Sequence, residues 1–245
     1  MMKFLYSLNN IWNYVIIFSF SVIALLLIYP LFSIFFSSFI DNESGLFTLQ
    51  NYSDILGRRY YRSAIYNSIV VGIAGMVGAL IIGIPLAYFT TRYQIKGKSL
   101  ITTLAILALV SPPFIGAYAW ITMLGSNGWL RHLLQNFGIF IPTIYGPFGI
   151  VLVFSLKFYP FVFLLTSGAL STINVSLEDA ADNLGCNPFT KFIRVTLPLV
   201  FPAVSAGALL AFVLSLADFG TPSIIGRNYK VLSTLDYNLY TSEMG

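Results

Sequence analysis

The chain reads as an all-α, polytopic membrane helix bundle of about five spans, with one polar helix-turn-helix set between the last two. Three observations predict this. Hydrophobic residues fill 57% of the 245 positions and charged ones only 9%, with a mean hydropathy of +0.82; soluble globular chains are not composed that way. Apolar runs of roughly 20 residues, the length that crosses a hydrocarbon core, recur from end to end. Residues 176–198, SLEDAADNLGCNPFTKFIRVTLP, interrupt them with a polar segment patterned for helix.

Composition also excludes several classes. The net charge of +4 is dispersed rather than gathered in a basic block, so membrane lipid is an expected partner and nucleic acid is not. The single cysteine, Cys186, permits neither a disulfide framework nor a thiolate metal cluster within the chain. No cofactor or metal is expected.

In chain order, MMKFLYSLNN is short and weakly basic through Lys3. Residues 11–37 make span one, too long for a cleavable signal peptide and therefore retained. Residues 41–63 are a polar loop with Asp41, Glu43 and Asp54 against Arg58, Arg59 and Arg62. Span two covers 64–90, where Gly75, Ala79, Gly83 and Ala87 recur every four residues and form a small-residue ridge that lets another helix approach closely. Residues 92–99 are a basic turn. Gly97-Lys98-Ser99 imitates the end of a phosphate-binding loop, but Arg92 stands where that motif needs glycine and no strand precedes it. ATP binding by that route is rejected.

Span three, 100–124, is interrupted by Ser111-Pro112-Pro113, where two prolines remove backbone donors, so it must kink or break. Within 125–145, Trp129, Leu130, Leu133, Leu134 and Phe137 share one side and Arg131, His132 and Gln135 lie elsewhere, the pattern of a short interfacial helix. His132 has no neighbour suited to nucleophilic or metal chemistry. Span four, 146–170, holds Lys157 near its middle and Pro160 just beyond. An ionisable residue at that depth costs a few kcal/mol and faces the bundle interior. Pro112, Pro113, Lys157 and Pro160 fall at comparable depth and are candidate walls of a mid-membrane cavity. Span five covers 199–217. In the exit segment, 216–240, Asp218, Gly220 and Pro222 mark a turn, and Arg227 and Lys230 prevent the remainder from forming a span.

The polar segment between spans four and five is the most informative stretch. Ser176 with Asp179 three residues on has the form of a capping box, so a helix starts there. Leu177, Ala180, Ala181 and Leu184 then share a helical face, Gly185 can end the helix in the left-handed conformation, and Asn187-Pro188 reads as N-cap and first residue of a second short helix. Phe189, Phe192 and Ile193 share a face of that second helix, and Lys191 and Arg194 can point to water.

Asp179-Ala180-Ala181, three residues, Gly185, nine residues, Val195, one residue and Leu197-Pro198 resemble the EAA loop of ABC importer permeases (the type I, binding-protein-dependent inner membrane components). Asp179, preceded by Glu178, stands for the family's glutamate, and Val195 for its isoleucine. The resemblance implies a cytoplasmic loop docked in the cleft of a separate ABC ATPase subunit, with Glu178, Asp179, Ala180, Ala181, Gly185, Val195, Leu197 and Pro198 as coupling residues. It further implies a second permease subunit or half, an extracytoplasmic solute-binding protein, and a bacterial inner-membrane location. The wording of 217–222 and Gly226 is similar to the ferric-iron branch. On this reading Lys157 lines the transport path or holds a gate by pairing, although a polar inter-subunit seam would also house it.

Charge alone does not orient the chain. Lys3, Arg92, Lys96, Lys98, Lys191 and Arg194 balance Arg58, Arg59, Arg62, Arg131, Arg227 and Lys230 on the other side. Residues 1–245 are expected to form one transmembrane permease domain lacking a final helix or a second half. The protein is expected to be a transport subunit and not an enzyme. An ion-coupled secondary transporter and a polytopic membrane enzyme are the alternatives; the first would need intramembrane carboxylates and the second a converging acid–base set.

Overall fold

The computed structural model describes residues 11–41 and 44–243; Lys3 and Glu43 lie outside the described residues. It divides into two compact units, Met1–Arg62 and Ser63–Gly245.

In the first unit, α1 is an apolar rod in three pieces: Ile11–Ile23, a π-helical turn at Ala24–Ile28, and Tyr29–Ser37. The wide turn stops two residues before Pro30. A proline ring cannot donate and crowds the carbonyl one turn earlier, and widening the helix relieves that clash. No described side chain of α1 is buried, the arrangement a bilayer solvates. The polar loop after it is more ordered than its composition predicts. Ile40 and Phe47 form an antiparallel bridge, Phe39 stacks on Phe47 at 5.5 Å, and Asn51 Nδ2 donates to the carbonyls of Ser38 and Ile40. These contacts seat α2 (Gln50–Gly57).

The second unit begins within α3 (Arg59–Arg92). It continues through α4 (Lys98–Val110), α5 (Pro113–Leu124), α6 (Trp129–Asn136), α7 (Pro147–Thr172), α8 (Ser176–Asn183), α9 (Pro188–Ala217), α10 (Gly220–Ile225) and α11 (Leu232–Glu243). Among the described residues α1, α3, α7 and α9 are each long and apolar enough to cross a membrane, and α4 with the helices after it makes a fifth, bent candidate.

The core of this unit is α7 held between α3 and α9. Gly75, Ala79, Gly83 and Ala87, the ridge expected from the four-residue repeat, are all buried. A Cβ on Gly75 would lie 2.8 Å from Phe154 Cβ, and one on Gly83 2.8 Å from Val162 Cβ. A Cβ on Gly207 of α9 would lie 2.8 Å from Val162 Cα, so α3 and α9 approach α7 at the same residue. Backbones approach that closely only where side chains are absent, which is how membrane helices gain packing without a hydrophobic driving force.

Of the kink or break expected in span three, the structure shows a break: Ser111 and Pro112 are extended, with ψ of 127° and 143°, and the helix path bends there by 112°. One boundary differs from the sequence reading. Span five begins at Pro188, not near residue 199, because a second π-helical turn, Phe192–Thr196, carries the helix past Pro198. As in α1, the wide turn ends two residues before the proline. The second limb of the polar loop is thus the first turns of α9.

In the exit segment, α10 and α11 pack on the ends of α3 and α7. Gly146 N–H donates to the Ile225 carbonyl at 2.9 Å, Asn67 Nδ2 to the Lys230 carbonyl at 2.9 Å, and Leu232 N–H to Ser68 Oγ at 2.7 Å. Arg227, with φ of 50°, lays its guanidinium 3.6 Å from the Tyr145 ring centre.

Candidate functional site

Two places in the second unit hold the residues singled out from the sequence: the loop at 176–198, and a cavity beside the break in span three.

The loop starts differently from the capping box its sequence spells. Asn174 Oδ1 accepts from the Ser176 N–H at 3.0 Å, and Ser176 is already the first residue of α8. An asparagine two residues upstream forms its own turn with the backbone and leaves the serine nothing to cap. The loop's centre is as expected. Gly185 has φ of +78°, its N–H reaches the Asp182 carbonyl, and the Cys186 N–H reaches the Ala181 carbonyl at 3.0 Å. This is a Schellman end, which glycine alone adopts without strain. Asn187 Oδ1 then accepts from the Thr190 N–H at 2.7 Å, so α9 starts at once. Lys191, expected in water, instead binds Asp182 Oδ2 at 2.7 Å and ties the two limbs together.

The faces of α8 also sort differently from the sequence reading. Leu177, Ala180 and Leu184 are exposed, Leu184 by 84%, and Phe189 joins them at 75%. Ala181 turns inward with Glu178, which is only 5% exposed. Glu178 Oε1 accepts from Arg92 Nε at 3.0 Å and from Thr196 Oγ1 at 3.1 Å. Asp179 is exposed, Val195 and Leu197 are half-buried, and Pro198 is exposed. Of the two carboxylates, therefore, only Asp179 faces outward.

The cavity has a volume of about 600 Å³ and is lined by Ser111, Pro112, Lys157, Phe161, Asp218 and Phe219 among others. A neighbouring space of about 330 Å³ shares Ser111, Pro112 and Lys157. Lys157 Nζ is paired with Asp218 Oδ2, whose other oxygen accepts the Thr221 N–H at 2.8 Å. The packing of Gly207 on Val162 sets the antiparallel register of α7 and α9, and it puts Asp218 roughly two helical turns beyond the residue facing Lys157. The lysine stem runs along the helix to reach it. Of the four candidate wall residues, Pro112 and Lys157 meet at the cavity. Pro160 is buried in the helix packing and lines neither space, and Pro113 opens α5.

Asp218, Arg92 and Thr196 were not singled out as site residues. Asp218 had a readable signal: a mid-span lysine needs a carboxylate, and this one directly succeeds the adjoining span. Arg92 had none beyond its place at a span end.

An all-α bundle with one span broken at a proline pair and a capped two-limbed loop before its last long span is that of a multi-pass membrane protein. The chain belongs to the family of binding-protein-dependent transport system inner membrane components, whose family model matches residues 79–244. It is 32% identical to the ferric transport system permease protein FbpB of Actinobacillus pleuropneumoniae, over 88% of this chain and 31% of that protein. It is 30% identical to a probable sulfate transport system permease protein cysT of Helicosporidium, over 91% of this chain and 79% of that protein. The chain spans about a third of the length of the ferric permeases it matches. In fold it matches a chain of a bacterial ABC transporter involved in the import of the acidic polysaccharide alginate, with a TM-score of 0.72 at 17% identity, over 100% of this chain and 89% of that one. A methionine ABC transporter chain matches with a TM-score of 0.55 at 15% identity, over 71% and 77% of the two chains.

Proposed function

We propose that the chain is a translocating subunit of an ABC importer, driven by a separate ATPase that grips the 176–198 loop. An extracytoplasmic binding protein delivers solute to it, and a second permease subunit or half completes the path. Residues 1–245 act in this as one permease domain. Ferric iron is the first solute to test, because two ferric permeases are among the relatives. The observation that carries the reading is that Leu177, Ala180, Leu184 and Phe189 are all exposed on a largely polar, stiffly capped loop. Apolar side chains held in that way mark a surface that another protein covers. Asp179 is the carboxylate available to basic groups on the ATPase, and Gly185 fixes the angle between the limbs.

In the same reading Lys157 and Pro112 line the solute path. Asp218 is the counter-ion of Lys157 and is already engaged, which removes the free intramembrane carboxylate that an ion-coupled secondary transporter would use.

The test is co-purification of the chain with an ATPase subunit, and then solute uptake in proteoliposomes. Gly185→Asp should abolish uptake while the protein remains in the membrane; unchanged uptake would remove the loop from the mechanism. Cys186, the only cysteine, reports the loop's side of the membrane. A membrane-impermeant maleimide should label it in inverted vesicles and not in right-side-out ones, and the reverse pattern would overturn the proposed orientation.

A further inference from the structure

Glu178 belongs to the loop that the proposed function assigns to the ATPase, yet its carboxylate points the other way. A single oxygen, Oε1, gathers three elements: Arg92 Nε from the last turn of α3 at 3.0 Å, Thr196 Oγ1 from the π-helical turn of α9 at 3.1 Å, and α8, which carries the glutamate itself. Arg92 Nη2 also lies 3.0 Å from it, without the direction of a hydrogen bond. The Arg92 and Glu178 side chains are only 10% and 6% exposed. Beside them Tyr88 of α3 meets Phe192 of the wide turn edge to face at 5.0 Å.

We propose that Arg92 is a positioning residue: through Glu178 and Thr196 it fastens the coupling loop to α3, so that displacement of the loop by the ATPase is delivered to α3 as well as to the two helices flanking it in sequence. This rests on the permease reading. The loop is stiff within itself because Lys191 clamps Asp182 across its two limbs. By chain connection alone it would move only α7 and α9, and the arginine adds a third attachment. From there the contacts continue without a gap. Gly75 and Gly83 of α3 lie against Phe154 and Val162 of α7, and between those two residues α7 carries Lys157, which faces the cavity. Thr196 sits in the π-helical turn of α9, a single-turn departure from the α-helical ladder of the kind found frequently at functional sites. Arginine suits the task because its planar guanidinium directs the Nε–H at the carboxylate oxygen and keeps its charge when shielded from water.

The experiment reconstitutes the full chain with its ATPase and solute-binding protein, and measures uptake and the ratio of ATP turnover with and without loaded binding protein. Arg92→Met and Glu178→Gln should each lower uptake about tenfold and bring the turnover ratio close to one, with the ATPase still co-purifying. The reversed pair, Arg92→Glu with Glu178→Arg, should recover most of both quantities. Normal uptake in Arg92→Met would overturn the proposal. So would a reversed pair no better than either single variant, or loss of the ATPase in Glu178→Gln but not in Arg92→Met, which would place Glu178 on the ATPase. An unaltered chain that retains no ATPase subunit would sink the permease reading itself, and no variant is needed to see it.

Discussion

Two ion pairs of the second unit, Arg92 with Glu178 and Lys157 with Asp218, use similar chemistry to opposite ends. At the loop, the Arg92 and Glu178 side chains are 10% and 6% exposed, Thr196 is a second donor to the same oxygen, and Tyr88 and Phe192 join the same elements by a ring contact. At the cavity, Lys157 and Asp218 are unequal: the lysine side chain is 20% exposed and faces about 600 Å³ of open space, while the aspartate is 3% exposed and held by the Thr221 N–H. A planar guanidinium with little exposure and no open space beside it makes a fixed joint. A single ammonium on a flexible stem, with room beside it, can change partners. The difference between the two sites is one of enclosure rather than of charge.

That difference can be broken in a definite order. The largest effect should come from removing either member of the enclosed pair, since each leaves a buried charge alone. Arg92→Met and Glu178→Gln should lose similar stability, about 3 kcal/mol, and the double variant should recover much of it, read as thermal midpoints in detergent. Similar losses in the double variant would mean the pair is not an isolated unit. At the cavity the two single variants should differ. Lys157→Met strands a carboxylate that is 3% exposed and keeps only the Thr221 N–H, and should cost about 3 kcal/mol, whereas Asp218→Asn leaves a lysine that can turn to the cavity and should cost about 1 kcal/mol. Equal losses would erase the asymmetry on which the comparison rests. Gly83→Val should cost about 2 kcal/mol by overpacking against Val162 Cβ. Gly185→Ala, where an added Cβ meets nothing within 4 Å and only the left-handed φ is strained, should cost about 1 kcal/mol. Costing less than Gly83→Val, it separates a packing glycine from a conformational one.

Much of this was legible in the chain. Span lengths come from apolar run length, the α3 ridge from its four-residue repeat, and the turn at 185–188 from glycine, asparagine and proline chemistry that acts over a few residues. Where local rules competed, the reading failed. The Ser176 capping box lost to Asn174 because two capping side chains cannot serve one helix start. The start of span five was missed because a proline ordinarily ends a helix, and here a wide turn absorbs it.

By itself, then, the sequence determined what depends on nearest neighbours along the chain: the apolar runs, the glycine-ended loop with its EAA spacing, and the family they resemble. Tertiary structure alone decided which charges meet. Arg92 and Glu178, and Lys157 and Asp218, are separated by 86 and 61 positions. A helical pattern says only that such a residue faces inward. The register between packed helices, set here by glycines on α3 and α9, selects the partner it finds there.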